Sequence, residues 1–309
     1  MKKISIVIPC YNEQEALPLL VDELEKLIIR MKNDATFEII LVDNCSEDDT
    51  LKIMKKLHKK DKKYRYISFS RNFGKDSSIY AGLKASTGDF VTIMDADLQD
   101  PPELLIEMYK TLKSGDCDCV ATRRKNRKGE PLIRSMLADI FYKIMQKISD
   151  YEIVSGARDF RLMTRKMVNA VLEMEETVRF TKGIFAWVGF KTTWIAFENK
   201  ERSAGKTKLP MKNAISYAMR GIVAFSTVPL LLASVIGMIF CFAALIYTVV
   251  IVFNHFILNN IVSGYSSLMC VLLFGFGLVL LILGIIGQYL AQMYLEVKRR
   301  PKYIIKESC

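Results

Sequence analysis

One long stretch without charged side chains limits what this chain can fold into. Residues 221–295 contain no Lys, Arg, Asp or Glu, whereas the sequence before them is rich in both signs of charge. Two apolar runs lie in this stretch, at 228–253 and 267–294, and each exceeds the roughly 20 residues that a helix needs to cross a bilayer. The sequence therefore predicts a charged globular domain followed by two transmembrane helices.

The charges that flank the apolar runs predict their orientation. The connection 254–265 has no Lys or Arg, whereas Lys298, Arg299, Arg300 and Lys302 follow the second run. Because basic residues favour the cytoplasmic side, both ends of the pair are expected in the cytoplasm. The apolar run at the start of the chain stops at Pro9, too early for a signal peptide. We expect a multi-pass protein of the plasma membrane with a cytoplasmic catalytic domain.

Two further segments are amphipathic. In 131–149, apolar residues recur at helical spacing with basic residues elsewhere on the wheel, which suits a helix on the membrane surface but equally a core helix. The segment before the first apolar run has a similar pattern. The expected organisation is a globular domain at 1–210 that includes the interfacial helix 131–149, a second juxtamembrane helix at 211–225, transmembrane helices at 226–254 and 266–295, and a basic tail at 296–309.

Composition excludes several classes of function. The formal charge of +11 comes without a nucleic-acid-binding motif, so anionic lipid and phosphorylated substrates are the expected partners rather than nucleic acid. The chain has only two histidines, and its seven cysteines lack metal-site spacing. Catalysis is therefore expected to use carboxylates, basic groups and a hard metal ion.

Short apolar runs alternate with amphipathic helical stretches before residue 125. The runs are 4–8, 38–42, 64–69, 90–94 and 119–121. This alternation predicts an α/β domain with a mostly parallel sheet. Ligands bind such sheets at the carboxyl ends of the strands. The polar segments that follow the strands are therefore the expected site: 11–13, 43–46, 71–76 and 95–99.

Asp95-Ala96-Asp97 directly follows one predicted strand. Two carboxylates at a strand end suit Mg²⁺ or Mn²⁺, which prefers oxygen ligands and commonly bridges a carboxylate to substrate phosphates. The amide oxygen of Gln99 is a candidate third ligand. Asp100 precedes Pro101 in a pattern typical of a helix N-cap.

The strand before Asp43 ends in a similar way. Ser46 and Asp49 have the spacing of a capping box, so the acidic residues there are expected to begin a helix. Asp43 precedes them at the strand end and is a candidate for binding a nucleotide.

Several ordered blocks resemble those of family 2 glycosyltransferases. They are Ile6-Val7-Ile8-Pro9-Cys10-Tyr11-Asn12-Glu13, Leu41-Val42-Asp43-Asn44, Arg71-Asn72-Phe73-Gly74-Lys75, Asp95-Ala96-Asp97-Leu98-Gln99-Asp100-Pro101-Pro102, Asp159-Phe160-Arg161-Leu162-Met163, Arg179-Phe180, Trp187-Val188-Gly189 and Arg202-Ser203-Ala204-Gly205-Lys206-Thr207-Lys208. With the two apolar runs, the chain resembles polyprenyl-phosphate glycosyltransferases of the dolichol-phosphate-mannose synthase and GtrB type over nearly its whole length.

The resemblance implies a Rossmann-like GT-A fold and a set of site residues. Nucleotide-sugar binding is implied for Pro9, Tyr11, Glu13, Asp43, Lys75, Asp95, Ala96 and Arg123; metal binding for Asp95, Asp97 and Gln99; catalysis for Asp97, Asp159 and Arg202. Asp159 is expected to orient the sugar or to act as a base, and Arg123 lies in a basic stretch that suits either a lid over the diphosphate or a solvated loop. Two departures from the family pattern, Leu209 and Ala157-Arg158, remove none of these groups.

The acceptor implied by the resemblance sets the chemistry. A phosphate monoester has a second pKa of about 6 and is largely a dianion at neutral pH, so a strong general base is not required. The enzyme must align the phosphate with the anomeric carbon and neutralise charge on the departing nucleotide. Arg202, Lys206 and Lys208 are expected to bind the lipid phosphate, although a generic positive-inside cluster would look the same.

The expected reaction is inverting transfer of a hexose from a UDP-sugar, with glucose or N-acetylglucosamine favoured, to undecaprenyl phosphate for cell-envelope glycan modification. The expected partners are the UDP-sugar, the polyprenyl phosphate and the lipid bilayer, and a homo-oligomer is compatible with the apolar faces. A processive polysaccharide synthase is an alternative, but the chain lacks its Gln-x-x-Arg-Trp motif. A catalytically inert membrane scaffold is the second alternative.

Overall fold

The computed structural model describes residues 1–124, 146, 154, 156–177, 179–197, 223, 226–257 and 264–309. The chain divides into two compact units, one formed by Met1–Ala218 with Arg300–Cys309 and the other by Met219–Arg299. The amphipathic helices expected at 131–149 and 211–225 lie outside the described residues, except for Gln146 and Val223, which are helical.

Strands and helices alternate in the first unit. In chain order its elements are β1 (Lys2–Cys10), α1 (Ala16–Met31), β2 (Ala35–Asp43), α2 (Thr50–Lys60), β3 (Tyr64–Phe69), α3 (Lys75–Ala85), β4 (Phe90–Ile93), α4 (Leu104–Lys113), β5 (Cys119–Arg124), β6 (Ala157–Thr164), α5 (Arg165–Glu173), α6 (Thr181–Trp187), β7 (Thr192–Phe197) and β8 (Ile305–Ser308). The strands expected from apolar runs are all present.

Among the described residues, eight strands form one mixed sheet in the order β7-β5-β6-β4-β1-β2-β3-β8. The pairs of β1 with β2 and β4, of β2 with β3 and of β5 with β7 are parallel. Strand β6 runs antiparallel between β4 and β5, and β8 runs antiparallel along β3. The sheet is therefore mostly parallel, as the sequence predicts.

Both faces of the sheet are covered, which explains why its central strands carry apolar residues at successive positions. On β2, Ile39 and Leu41 belong to the larger core cluster, whereas Ile40 and Val42 belong to a second cluster with Phe69. A strand that is buried on both faces carries a continuous apolar run rather than an alternating one. Helix α3 packs so closely that a Cβ on Gly82 would lie 2.2 Å from Val7 Cγ1.

The second unit contains two long helices, α7 (Val228–Ile257) and α8 (Tyr265–Val297). Each includes a segment with a mean hydropathy of 2.5, and only 6% and 0% of these segments is buried inside the protein. A core helix of a soluble protein would bury such side chains. Both helices are therefore long and apolar enough to cross a membrane, as the sequence predicts.

A buried carboxylate joins β1, β2 and the loop before β4, near the end of the sheet where β1 begins. Glu38 is 6% exposed, lies opposite Ser5 on β1, and accepts hydrogen bonds of 2.5 Å from Ser5 Oγ and 2.6 Å from the Thr87 amide. Lys3 Nζ lies 2.9 Å from its second oxygen. Burial alone would raise the pKa of Glu38, but these donors and the Lys3 ammonium outweigh it and lower the pKa to about 2.

The lowered pKa of Glu38 predicts acid sensitivity. A carboxyl with a lowered folded-state pKa contributes stability above its unfolded pKa of 4.5 and loses that contribution as the pH falls towards about 2. We expect Glu38→Gln to reduce the free energy of unfolding at neutral pH by about 1–3 kcal/mol. Thermal unfolding of the full chain in detergent, from about pH 5 to about pH 3, should show a shallower loss of Tm in the variant than in the wild type. The control is Glu23→Gln, which breaks an exposed pair with Lys26, and equal slopes for Glu38→Gln and wild type would contradict the prediction.

Candidate active site

The ends of four neighbouring strands form a polar edge on the sheet. Strands β3, β2, β1 and β4 are adjacent and parallel, so their carboxyl ends meet at one edge. Asp43 ends β2, and Asp95 follows β4 by two residues. This is the edge at which ligands bind in open α/β sheets.

The unpredicted strand β6 brings a further carboxylate to this edge. Because β6 is antiparallel to β4, its beginning lies at the carboxyl end of β4, and Arg161 is paired with Ile93. Two residues beyond Ile93 is Asp95, and two residues before Arg161 is Asp159. The register of one strand pair therefore brings Asp95 and Asp159, 64 positions apart in the sequence, to the same place.

A lysine from a third element joins these two carboxylates. Lys75 is the first residue of α3, and its Nζ lies 2.7 Å from Asp95 Oδ1 and 2.5 Å from Asp159 Oδ2. Gly74 precedes it with φ +93°, a conformation that suits glycine and turns the chain from the loop into the helix. The Lys75 side chain is 44% exposed, whereas those of Asp95 and Asp159 are 20% and 14% exposed. The cluster is open to solvent on the lysine side.

The charges of this cluster stabilise one another. Desolvation opposes ionisation of Lys75, but Asp159 and Asp95 outweigh it and raise the pKa of the ammonium. Desolvation likewise opposes ionisation of Asp159, but Lys75 and then Lys182 outweigh it and lower the pKa of that carboxyl. Both groups are therefore charged at neutral pH.

Two arginines contact the loop 94–103 between β4 and α4, named here the acidic loop. Arg158 Nε donates to Asp100 Oδ1 at 2.8 Å, and its Nη2 lies 3.9 Å from Asp95 Oδ2. Arg124 Nη2 donates to Gln99 Oε1 at 3.0 Å. The expected N-cap role of Asp100 is wrong, because α4 begins at Leu104 and the buried Asp100 carboxylate binds Arg158 instead.

The donor set at Asp95 and Asp97 fits a hard divalent cation. Both aspartates are partly exposed, and Leu98 adopts the left-handed region at φ +55°, which turns the chain between Asp97 and Gln99. Gln99 differs, because its amide oxygen already accepts the hydrogen bond from Arg124. Among the described residues no group of three or more His, Cys, Asp or Glu is arranged to hold a metal ion. Asp95 also contacts Lys75, so a cation held by Asp95 and Asp97 would share the Asp95 carboxylate with that ammonium. Such cations commonly take further ligands from substrate phosphates and water.

On the other side of the edge, Asp43 is buried and fixed. Its Oδ1 accepts from the Ser46 amide at 2.9 Å, and its Oδ2 accepts from Ser68 Oγ at 2.7 Å. The expected capping box is wrong, because α2 begins at Thr50 and Ser46 Oγ accepts instead from the Asn12 amide at 3.0 Å. The loops after β1 and β2 are thus joined to each other.

The other residues expected to bind the nucleotide lie along the same loops. Pro9 is paired with Val42, and the partly buried Tyr11 and Glu13 follow it. The amide of Glu13 donates to Thr50 Oγ1 at 2.8 Å, which fixes its backbone.

The loop between β3 and α3 is fixed by two asparagines that were given no role from the sequence. Asn44 Oδ1 accepts from the Phe73 amide at 2.8 Å, and Asn44 Nδ2 donates to Asn72 Oδ1 at 2.9 Å. Asn72 Oδ1 also accepts from the Gly74 amide at 2.9 Å. Both asparagines lie inside the sequence blocks quoted above. The presence of Asn44 directly after Asp43, and of Asn72 in the same block as Lys75, could have indicated that they belong to the site.

The remaining expected site residues are placed as follows. Ala96, between the two aspartates, is buried in the larger core cluster, and Arg123 is exposed at the end of β5, next to the Arg124 that binds Gln99. Arg202, Lys206 and Lys208 lie outside the described residues.

The fold and this edge define a class of protein. A mostly parallel sheet with an antiparallel strand beside the acidic loop, and with several carboxylates gathered at one edge, is typical of a GT-A glycosyltransferase domain.

Comparisons with known proteins identify the family within that class. The family model for glycosyl transferase family 2 matches residues 5–172, so the chain belongs to family 2 of the glycosyltransferases.

Relatives are similar over nearly the whole chain. The CsbB protein of Bacillus subtilis (strain 168), named as a candidate glycosyltransferase, is 40% identical over 99% of this chain and 92% of its own length. The prophage bactoprenol glucosyl transferase homolog of Escherichia coli (strain K12) is 38% identical over 98% of both chains. The bactoprenol glucosyl transferase of Shigella phage SfII is 36% identical over 99% of this chain and 98% of its own length.

The ion cluster predicts a coupling that can be measured. Lys75→Gln leaves two carboxylates facing each other, so we expect a loss of about 1–2 kcal/mol of stability, reduced from the value for a buried pair because Lys75 is partly exposed. Adding Asp159→Asn should recover part of this loss, so that the double variant is more stable than the sum of the single changes implies.

Thermal unfolding of the single and double variants measures this coupling. The control is Lys52→Gln, since Lys52 forms an exposed pair with Asp49 and its loss should change Tm very little. Strictly additive Tm shifts for Lys75→Gln and Asp159→Asn would show that the two side chains are not coupled.

Proposed function

We propose that this chain transfers a hexosyl group, with glucose favoured over N-acetylglucosamine, from a UDP-sugar to a polyprenyl phosphate, with inversion at the anomeric carbon. Helices α7 and α8 anchor it in the plasma membrane as a multi-pass protein, and its GT-A unit lies on the cytoplasmic side. The undecaprenyl-linked sugar then serves modification of a cell-envelope glycan.

The observation that carries this proposal is similarity along the whole chain to proteins named bactoprenol glucosyl transferases. The alignments cover 98% or more of this chain and of those relatives. They therefore include the two long apolar helices as well as the GT-A unit. A bactoprenol is a polyprenol, and its phosphate is held at a membrane by its chain, which suits an enzyme with two such helices.

The geometry of the polar edge supports the donor side of the reaction. Asp43, Pro9, Tyr11 and Glu13 lie on the joined loops where the nucleoside would bind. Asp95 and Asp97 would hold a divalent cation, which when bound supplies charge neutralisation for the leaving nucleotide. Lys75 lies beside Asp95 and brings a positive charge to the position where a diphosphate would approach.

The environment of Asp159 supports an electrostatic role rather than a basic one. Lys75 and Lys182 lower its pKa and keep it ionised, and such a carboxylate accepts protons poorly. The acceptor phosphate is itself an anion and needs no deprotonation. Asp159 therefore orients the sugar and stabilises positive charge that develops at the anomeric carbon.

The acceptor side of the proposal rests on the basic sequence at 202–208. Arg202, Lys206 and Lys208 follow strand β7 and precede the apolar stretch in the sequence. Charged donors bind phosphate oxygens strongly, and an arginine does so with two parallel bonds.

We expect Arg202→Ala to raise the KM for the lipid phosphate by about 10- to 100-fold while changing the KM for the nucleotide sugar very little.

A direct assay tests the reaction. Purified full-length protein in lipid nanodiscs is incubated with radiolabelled UDP-glucose, UDP-N-acetylglucosamine or GDP-mannose and with undecaprenyl phosphate or undecaprenol. We expect a labelled glycolipid from a UDP-sugar with undecaprenyl phosphate and none with undecaprenol, and NMR of the product should show an inverted anomeric configuration. A glycan longer than one sugar would instead indicate a processive synthase, and no product from any donor would indicate a scaffold.

The same assay tests the metal-side carboxylates. We expect Asp97→Asn to lower kcat/KM by about 100-fold or more, because charge on the leaving nucleotide is then poorly neutralised. EDTA should abolish transfer, and added Mg²⁺ or Mn²⁺ should restore it. Asp116→Asn, at an exposed position after α4, is the control and should keep wild-type activity. Transfer by Asp97→Asn at the wild-type rate would exclude this residue from the site.

A further inference from the structure

The last residues of the chain form part of the sheet, a feature that the sequence did not indicate. Strand β8 forms one edge of the sheet and pairs with β3, and the Cys309 amide donates to the Tyr66 carbonyl at 3.1 Å. Glu307 forms an ion pair of 2.6 Å with Lys55. Residues 302–309, named here the C-terminal segment, therefore belong to the same compact unit as the polar edge.

One aromatic side chain of this segment enters the second core cluster. The Tyr303 ring stacks on Phe69 with centroids 5.1 Å apart and planes at 19°, and it lies 6.3 Å from Tyr80 of α3. Phe69 in turn contacts Phe73 edge to face, with centroids 5.8 Å apart. Tyr303 therefore packs against the end of β3 and against the second turn of α3, in a cluster that also contains Val42 near the end of β2.

The C-terminal segment also contacts the loop 70–74, which directly precedes Lys75. The Ser70 amide, directly after β3, donates to the Ile304 carbonyl at 3.0 Å. Phe73 lies three residues further on, and Gly74 with its left-handed conformation then leads into Lys75. The loop 70–74 is thus fixed from one side by the C-terminal segment and from the other side by Asn44.

A second route joins the segment to helix α3. Lys302 Nζ lies 4.5 Å from the centroid of the Tyr80 ring, and the buried Arg179 lies 4.6 Å from the same centroid. Tyr80 is five positions after Lys75 on α3, so the start of the helix is held by the same contacts.

We propose that the C-terminal segment positions the Lys75 ammonium between Asp95 and Asp159, and that Tyr303 is the positioning residue. The segment touches none of the three charged groups and acts by fixing the loop 70–74 and the first turns of α3. Its catalytic consequence rests on the proposed glycosyl transfer, whereas its structural consequence does not.

A matched pair of substitutions tests the structural part. Tyr303→Leu removes the stacked ring and keeps an apolar side chain. The control, Tyr109→Leu, removes the ring of the Phe90–Tyr109 pair. The Tyr109 hydroxyl donates to the Asp34 carbonyl, just before β2 begins. Hydrogen exchange of the full chain in nanodiscs should be faster by about 3- to 10-fold in peptides that cover 70–75 for Tyr303→Leu only. Tyr303→Phe keeps the stacked ring and should exchange like the wild type. Equal exchange in Tyr303→Leu and wild type would overturn the proposal.

A double-mutant cycle tests whether Tyr303 acts through the lysine. Tyr303→Leu should lower kcat/KM for glycolipid formation by about tenfold in the wild-type background and cause no further loss in Lys75→Gln. Tyr109→Leu should have the same effect in both backgrounds. Equal losses for Tyr303→Leu with and without Lys75 would overturn the positioning role, even if the loop exchanges faster. If the wild type transfers no sugar, the proposed function fails, and hydrogen exchange alone decides the inference.

Discussion

The antiparallel register between β4 and β6 is the constraint on which the site depends. Because Ile93 faces Arg161, the carboxylates of Asp95 and Asp159 arrive at the same edge of an otherwise parallel sheet. Two carboxylates so close would repel each other unless a cation lay between them. Lys75 supplies that cation from the start of α3, so one strand register and one helix start together create the charged cluster.

The parts of this arrangement that could be predicted from the sequence are those that leave a local pattern. Strands β1 to β5 each contain a short apolar or aromatic run because both faces of the sheet are covered, and α7 and α8 contain long apolar runs. Strand β6 leaves no such pattern. Its sequence carries Arg158, Asp159 and Arg161, which interact with other charged or aromatic groups of the protein. A strand whose polar residues serve a site cannot be identified by apolar periodicity alone.

The same limit applies to the local motifs. Asp100 and Ser46 have the spacing of helix caps, but in the structure each accepts a hydrogen bond from a distant part of the chain. The donor to Asp100 is Arg158, and the donor to Ser46 is the Asn12 amide. Strand β8 is missed for a related reason, since Ile-Lys-Glu-Ser is short and half charged. An edge strand can be polar where it does not contact the core. In this segment the contact with the core is made by Tyr303, which lies just before β8 and stacks on Phe69. Tertiary contacts thus decided each case in which a local rule failed.

The charges around Asp159 have a consequence for the chemistry of transfer. A general base has to change its protonation state during the reaction, and a carboxyl whose pKa is lowered by neighbouring cations resists that change. A phosphate acceptor removes the need for a base, because the nucleophile is already an anion. What the reaction does require is compensation of positive charge on the sugar as its bond to the nucleotide lengthens. In the transfer proposed above, an ionised Asp159 that is kept charged by Lys75 would meet this requirement, whereas a neutral carboxyl would not. An acceptor that is already an anion before it binds is therefore consistent with the charge state of this cluster.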